Sequence, residues 1–220
     1  MSSKSRPSGS PLSTLNSQLS TSPVPAALGL RAHSGWAALV AVAGTPRSPS
    51  VLIRRRIELV DPSVRGAKQP YHEAEGKKLS KAGEIIRRCA SDAGKLAGQA
   101  FREAVAELGR NGHRVAGCGL LLASGRPLPA LEAILASHAL IHAADGELFR
   151  DALAGASEAC GVPVTRVREK ELLPRVTADL RISAEDVQNA IRELGRSLGP
   201  PWTQDEKYAA LAGWLALEKM

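Results

Sequence analysis

The stretch from Val115 to Ala123 (VAGCGLLLA) carries no charged side chain, and it constrains the fold more than any other segment. An apolar run of strand length without alternation must be covered on both faces, as in a central strand of a parallel sheet. Helical spacing flanks it on both sides. Before it, Leu79, Ile85, Ile86, Cys89, Leu96, Phe101, Val105 and Leu108 share a helix face and predict a helix over about 77–109. After it, one kinked helix or two helices are expected over about 128–160. Gly161 stops that segment in the usual C-terminal position. A short strand is expected at 163–167. Helices alternating with apolar strands are the signature of α/β layering.

The ends of the chain complete the order. Residues 27–42 read as extended, with a break near His33-Ser34-Gly35. A Gly/Pro turn over 44–49 then leads to Val51–Val60 (VLIRRRIELV), so the two runs predict an antiparallel hairpin. A polar loop carrying Gln69-Pro70-Tyr71-His72 follows. Ser183 with Asp186, and Thr203 with Glu206, mark the starts of two closing helices. The expected order is β-β-α-β-α-β-α-α, an α/β fold with a mixed sheet. A chain of 220 residues has the length of one domain, placed at 26–220. Residues 1–25 are rich in Ser and Pro, lack apolar periodicity, and are expected to be a disordered tail.

Composition narrows the class. Aromatics are 3% of the chain, so the core must be built from Ala, Leu, Val and Ile. No apolar run reaches the length of a membrane helix, and the tail lacks the apolar core of a secretory signal. Cys89, Cys118 and Cys160 are far apart without CxxC spacing, as expected of reduced thiols in a cytoplasmic protein. The net charge of +7 is local. Lys4, Arg6, Arg31, Arg47, Arg54, Arg55 and Arg56 precede Glu58, the first acidic residue, and beyond them 22 basic residues face 22 acidic ones. A basic field therefore comes from the tail and first strands, not from a whole face.

The order of elements resembles the ribonuclease H-like fold in its RuvC-type Holliday-junction resolvase arrangement, over about residues 26–218. Gly35-Trp36-Ala37 looks like that family's second strand. Ala144-Asp145-Gly146, leading to Gly161-Val162-Pro163-Val164, looks like its helix-to-strand passage. Asp205-Glu206 ahead of Ala209-Ala210-Leu211-Ala212 looks like its final helix. The resemblance implies carboxylates converging on two Mg²⁺ or Mn²⁺ ions at a phosphodiester. Here the first-strand position reads Arg31, the central strand reads Leu120-Leu121-Leu122, and only Asp205 survives. One ligand cannot assemble a two-metal site, so the resemblance implies a divergent or non-catalytic domain.

Two sets of residues carry the functional expectations. Arg31, Arg54 and Arg56 would contact phosphate, with Trp36, Tyr71 or His72 stacking on bases, in a domain that binds nucleic acid or a nucleic-acid-associated partner. Charge that blunts an edge strand is the plainer reading of Arg54–Arg56. The alternative is a metal-assisted hydrolase. His138 and His142 stand four apart on a predicted helix, Asp145 and Glu147 follow, and two imidazoles with a carboxylate suit zinc or iron. A scaffold that pairs with itself as a homodimer through small-residue helices is the third. His33 completes the polar candidates, Asp205 and Glu206 also suit helix capping, and Ser124-Gly125-Arg126-Pro127 lacks the glycines of a phosphate loop.

Overall fold

The computed structural model describes residues 22–123 and 126–218; most of the predicted tail and the Ser124-Gly125 segment lie outside them. Gly35, at φ 84°, lets the chain reverse on itself. The extended segment expected over 27–42 is therefore two strands, β1 (Val24–His33) and β2 (Trp36–Thr45). β1 takes in the last two residues of the stretch assigned to the tail by composition, Val24 and Pro25, and Val24 pairs with His113. A second reversal leads to β3 (Ser48–Glu58), so the opening hairpin becomes a three-stranded antiparallel meander. β4 (His113–Leu122) lies parallel to β1, and β5 (Val164–Arg168) parallel to β4. The sheet order is β3-β2-β1-β4-β5.

The helices fall where apolar spacing placed them, with three refinements. α1 (Pro70–Ala74) is a single turn where a loop was expected, and α2 (Leu79–Arg110) follows it. The 128–160 segment divides into α3 (Leu131–Leu135) and α4 (His138–Ala159). α5 (Glu169–Leu180) was not expected. Leu172, Val176 and Leu180 recur every four residues and are buried, but Pro174 stands inside the helix and disguises it. α6 (Ala184–Leu198) starts on Ser183, whose Oγ accepts the Asp186 N–H at 3.0 Å. α7 (Gln204–Glu218) starts on Thr203, whose Oγ1 accepts the Asp205 N–H at 3.2 Å, while Glu206 Oε2 accepts the Thr203 N–H at 2.8 Å. Both caps were legible as sequence patterns.

α2 and α4 cover one face of the sheet, with Leu28, Leu30, Leu39 and Leu120 meeting Phe101 and Phe149. α5, α6 and α7 cover the other, where Val40, Val42 and Leu121 meet Leu172, Leu211 and Trp214. α7 is buried on all sides from Ala209 to Ala216. Its approach to the sheet depends on small residues in both elements. Gly29 and Gly119 are register partners on β1 and β4. A Cβ at Gly29 would lie 1.7 Å from Ala209 O, and one at Gly119 would lie 1.9 Å from Ala212 O. The small residues of α7 thus serve packing within the chain.

No helix among the described residues is long and apolar enough to cross a membrane. The three thiols are free, and Cys118 is fully buried, which pushes its pKa up to about 12. The neutral thiol is favoured in the fold, so this contribution is intact below about pH 9.0 and is lost as pH rises toward about 12. Under native conditions at pH 8, we expect Cys160, which is only half-buried, to react first with a thiol reagent and Cys118 only after unfolding.

Gly29→Ala should destabilise the protein by about 3 kcal/mol or more, because backbone atoms and not a flexible side chain must yield. Gly155→Ala, at an exposed site of α4 where an added Cβ meets nothing within 4 Å, should stabilise by about 0.5–1 kcal/mol. Urea denaturation of the two variants checks both signs.

Candidate functional site

Strand alternation puts Gly29, Arg31 and His33 on the sheet face that α7 covers, in order toward the C-terminal end of β1. Gly29 holds α7 close, and Asp205 lies one turn before Ala209 on that helix. The result is a direct meeting of Arg31 with Asp205. Arg31 Nη1 donates to Asp205 Oδ1 at 2.8 Å, and Nη2 donates to Glu169 Oε2 at 3.0 Å. The guanidinium also lies over the Tyr208 ring, 4.8 Å from its centroid. Its side chain is 20% exposed. His33 Nε2 makes a second contact with Asp205 Oδ1, at 2.8 Å.

Trp36 continues the cluster across the sheet. Its ring stacks on His33 with centroids 4.3 Å apart and planes 9° from parallel. Arg56 from β3 lies over the same ring, 3.9 Å from its centroid. Since β1 and β3 lie on either side of β2, the indole is contacted from both neighbouring strands. Arg56 Nε also donates to Glu58 Oε1 at 2.5 Å, and this pair is about half exposed.

The remaining predicted contacts separate. Arg54 shares the face of Arg56 but donates to the backbone carbonyls of Gly199 and Pro201, clipping the α6–α7 connection to the edge strand. Arg55 faces α2 and pairs with Glu107. Tyr71 and His72 are on α1, across the molecule from Trp36, against α4. Burial, helped by the charges of Asp145 and Asp151, raises the Tyr71 pKa above its ordinary value. Asp151 is itself raised by burial and by Glu147. Tyr71 and His72 are therefore not part of one surface with Arg31, Trp36 and Arg56.

A second cluster forms there. Asp145 is 2% exposed. Its Oδ1 accepts the Tyr71 backbone N–H at 2.7 Å, and its Oδ2 lies 2.5 Å from His72 Nδ1. His138 and His142, on the same face of α4, place their Nε2 atoms 3.0 Å apart, and both rings touch that of His72. Glu147, expected to join these residues, accepts instead from Arg150 Nε at 2.8 Å. The helical spacing of His138, His142 and Asp145 was readable. His72 was read as a stacking residue because nothing local in the sequence joins it to α4.

No family model and no curated protein sequence matches the chain. Its structure is similar to that of RuvC from Thermus thermophilus in complex with a Holliday junction substrate. The TM-score is 0.51 at 13% identity, over 86% of this chain and 90% of that one. Thermus thermophilus RuvC in a second structure gives 0.50 at 13% identity, over 86% and 92%. The fold is ribonuclease H-like.

Within this ribonuclease H-like frame, the residues do not fit the two-metal centre that the resemblance implies. The first-strand carboxylate is replaced by a cation, Arg31, and Leu121 is buried in the core beneath α7. Asp205 and Glu169 are both engaged by that guanidinium. Glu169 was missed by sequence reasoning. Its signal was its place directly after a parallel strand, where site residues of open α/β sheets collect. Tyr208, three residues beyond Asp205, shares that side chain's helix face.

Arg31→Met should leave Asp205 and Glu169 facing each other without their shared cation. We expect a loss of about 1–3 kcal/mol, discounted for partial exposure, largely restored by Arg31→Met with Asp205→Asn. Thermal unfolding of the single and double variants checks this coupling.

Proposed function

We propose that the chain is a non-cleaving ribonuclease H-like domain that binds nucleic acid, or a partner bound to it, through the His33–Trp36–Arg56 cluster on the β1–β2–β3 meander. The observation that carries this reading is Arg31, whose guanidinium lies between Asp205 and Glu169. A fixed cation there opposes the gathering of divalent ions and already engages Asp205 and Glu169. The protein keeps the fold of a structure whose bound substrate is a Holliday junction, without the means to cut one.

Binding is assigned to His33, Trp36 and Arg56. Glu58 holds Arg56 in an exposed pair, and exposed pairs contribute little, so the guanidinium can exchange Glu58 for a phosphate at small cost. Once it moves, one side of the indole is free to take a base, an interaction of about 1–3 kcal/mol. Arg54 supports the edge by clipping the α6–α7 connection and makes no phosphate contact in this reading. A reducing cytoplasmic setting accords with the three free thiols.

Anisotropy titrations with single-stranded, duplex and four-way-junction DNA, and with RNA, test both halves at two salt concentrations. We expect binding that weakens as salt rises, an affinity about 5- to 100-fold lower in Trp36→Ala, and a smaller loss in Arg56→Ala. No strand scission should follow with Mg²⁺ or Mn²⁺. Absence of binding at low salt removes the nucleic-acid reading, and metal-dependent scission abolished by Asp205→Asn removes the non-cleaving one.

A further inference from the structure

The histidine cluster over α1 and α4 is independent of the sheet edge and has the form of a metal site. His72, His138 and His142 each offer a ring nitrogen, and the three atoms lie within 4.8 Å of one another. Zinc–nitrogen bonds of about 2.0–2.1 Å in a tetrahedron require nitrogens about 3.3 Å apart. The His138 and His142 Nε2 atoms, at 3.0 Å, are already near that spacing. Side-chain rotation at the two exposed histidines can bring His72 into the same range.

Asp145 supplies the second observation. A ligating histidine generally gives its other ring nitrogen to a carboxylate, which sets the tautomer and aims the ring. Asp145 Oδ2 holds His72 Nδ1 in this way at 2.5 Å, leaving Nε2 as the atom for the ion. The carboxylate is buried, and its other oxygen is engaged by the Tyr71 N–H, so it can neither turn away nor become a direct ligand without breaking that bond. A buried carboxylate is costly unless positive charge is near, and a cation bound through His72 provides it. Arg150, the closest arginine in sequence, is engaged with Glu147.

We propose that His72, His138 and His142 bind one divalent transition ion of the zinc class, with Asp145 orienting His72 and a fourth position open to water or a small anion. Three neutral nitrogen donors favour zinc, copper or nickel over magnesium or calcium, which prefer oxygen. The ion would join α1 to α4 at the side of the molecule away from Arg31.

The test uses untagged full-length protein, stripped with a chelator and titrated calorimetrically with Zn²⁺ and Mg²⁺, with Co²⁺ followed by visible absorption. We expect one Zn²⁺ per chain, a tetrahedral cobalt spectrum, and no saturable response to Mg²⁺. His138→Ala and His142→Ala, both at exposed positions, should keep the melting temperature of the metal-free protein and abolish the cobalt spectrum. Asp145→Asn should weaken zinc binding about 10- to 100-fold. Two outcomes overturn the site. One is no stoichiometric uptake of Zn²⁺ or Co²⁺, which would leave the 3.0 Å contact as an N–H···N hydrogen bond. The other is uptake that His142→Ala does not change.

Discussion

The arrangement depends on how closely α7 lies against the sheet. Gly29 and Gly119 face each other across β1 and β4, and the carbonyls of Ala209 and Ala212 occupy the space where side chains would stand. Helix and sheet are held by backbone contact, which has little freedom to slide. That contact sets Asp205, one turn earlier on α7, over Arg31, one strand repeat beyond Gly29. The same packing places Tyr208 against the guanidinium. A pair of glycines that looks like a weakness in two strands is what positions the site.

The fold is ribonuclease H-like, and the position where the resemblance implies a first-strand carboxylate is held by Arg31. Carboxylates from several elements still converge, since Glu169 arrives from the end of β5 and Asp205 from α7. They converge on an arginine supplied by the chain. An ion pair that is only one-fifth exposed on its arginine side is costly to break from one side alone. Arg31 therefore ties together the junction of β1, α5 and α7.

The opposite side follows a different logic. Asp145 receives an N–H from one end of α1 and an imidazole from the next residue, so a one-turn helix with no side-chain cap of its own is pinned by a carboxylate from α4. The buried acid explains why His72 faces His138 and His142 despite their distance in sequence. It also places three imidazoles together on one side of α4.

The sequence by itself determined the periodic features. Val115–Ala123 had to be a covered central strand, 77–109 had to be a helix, and Ser183 and Thr203 had to start helices, because each follows from spacing or capping within a few residues. It also established that Arg31 and Leu120–Leu122 stand where the resemblance requires acids. Reversals and interruptions were less legible. The His33–Gly35 break concealed a full hairpin, and Pro174 concealed α5, since a turn or proline can end an element or be absorbed by one. Only the tertiary structure decided which side chains meet. Asp205 joins Arg31 across 174 residues, and His72 joins Asp145 across 73. No local pattern encodes such contacts, because they arise from how closely two packed elements approach, and for α7 on the sheet that distance is set by glycines.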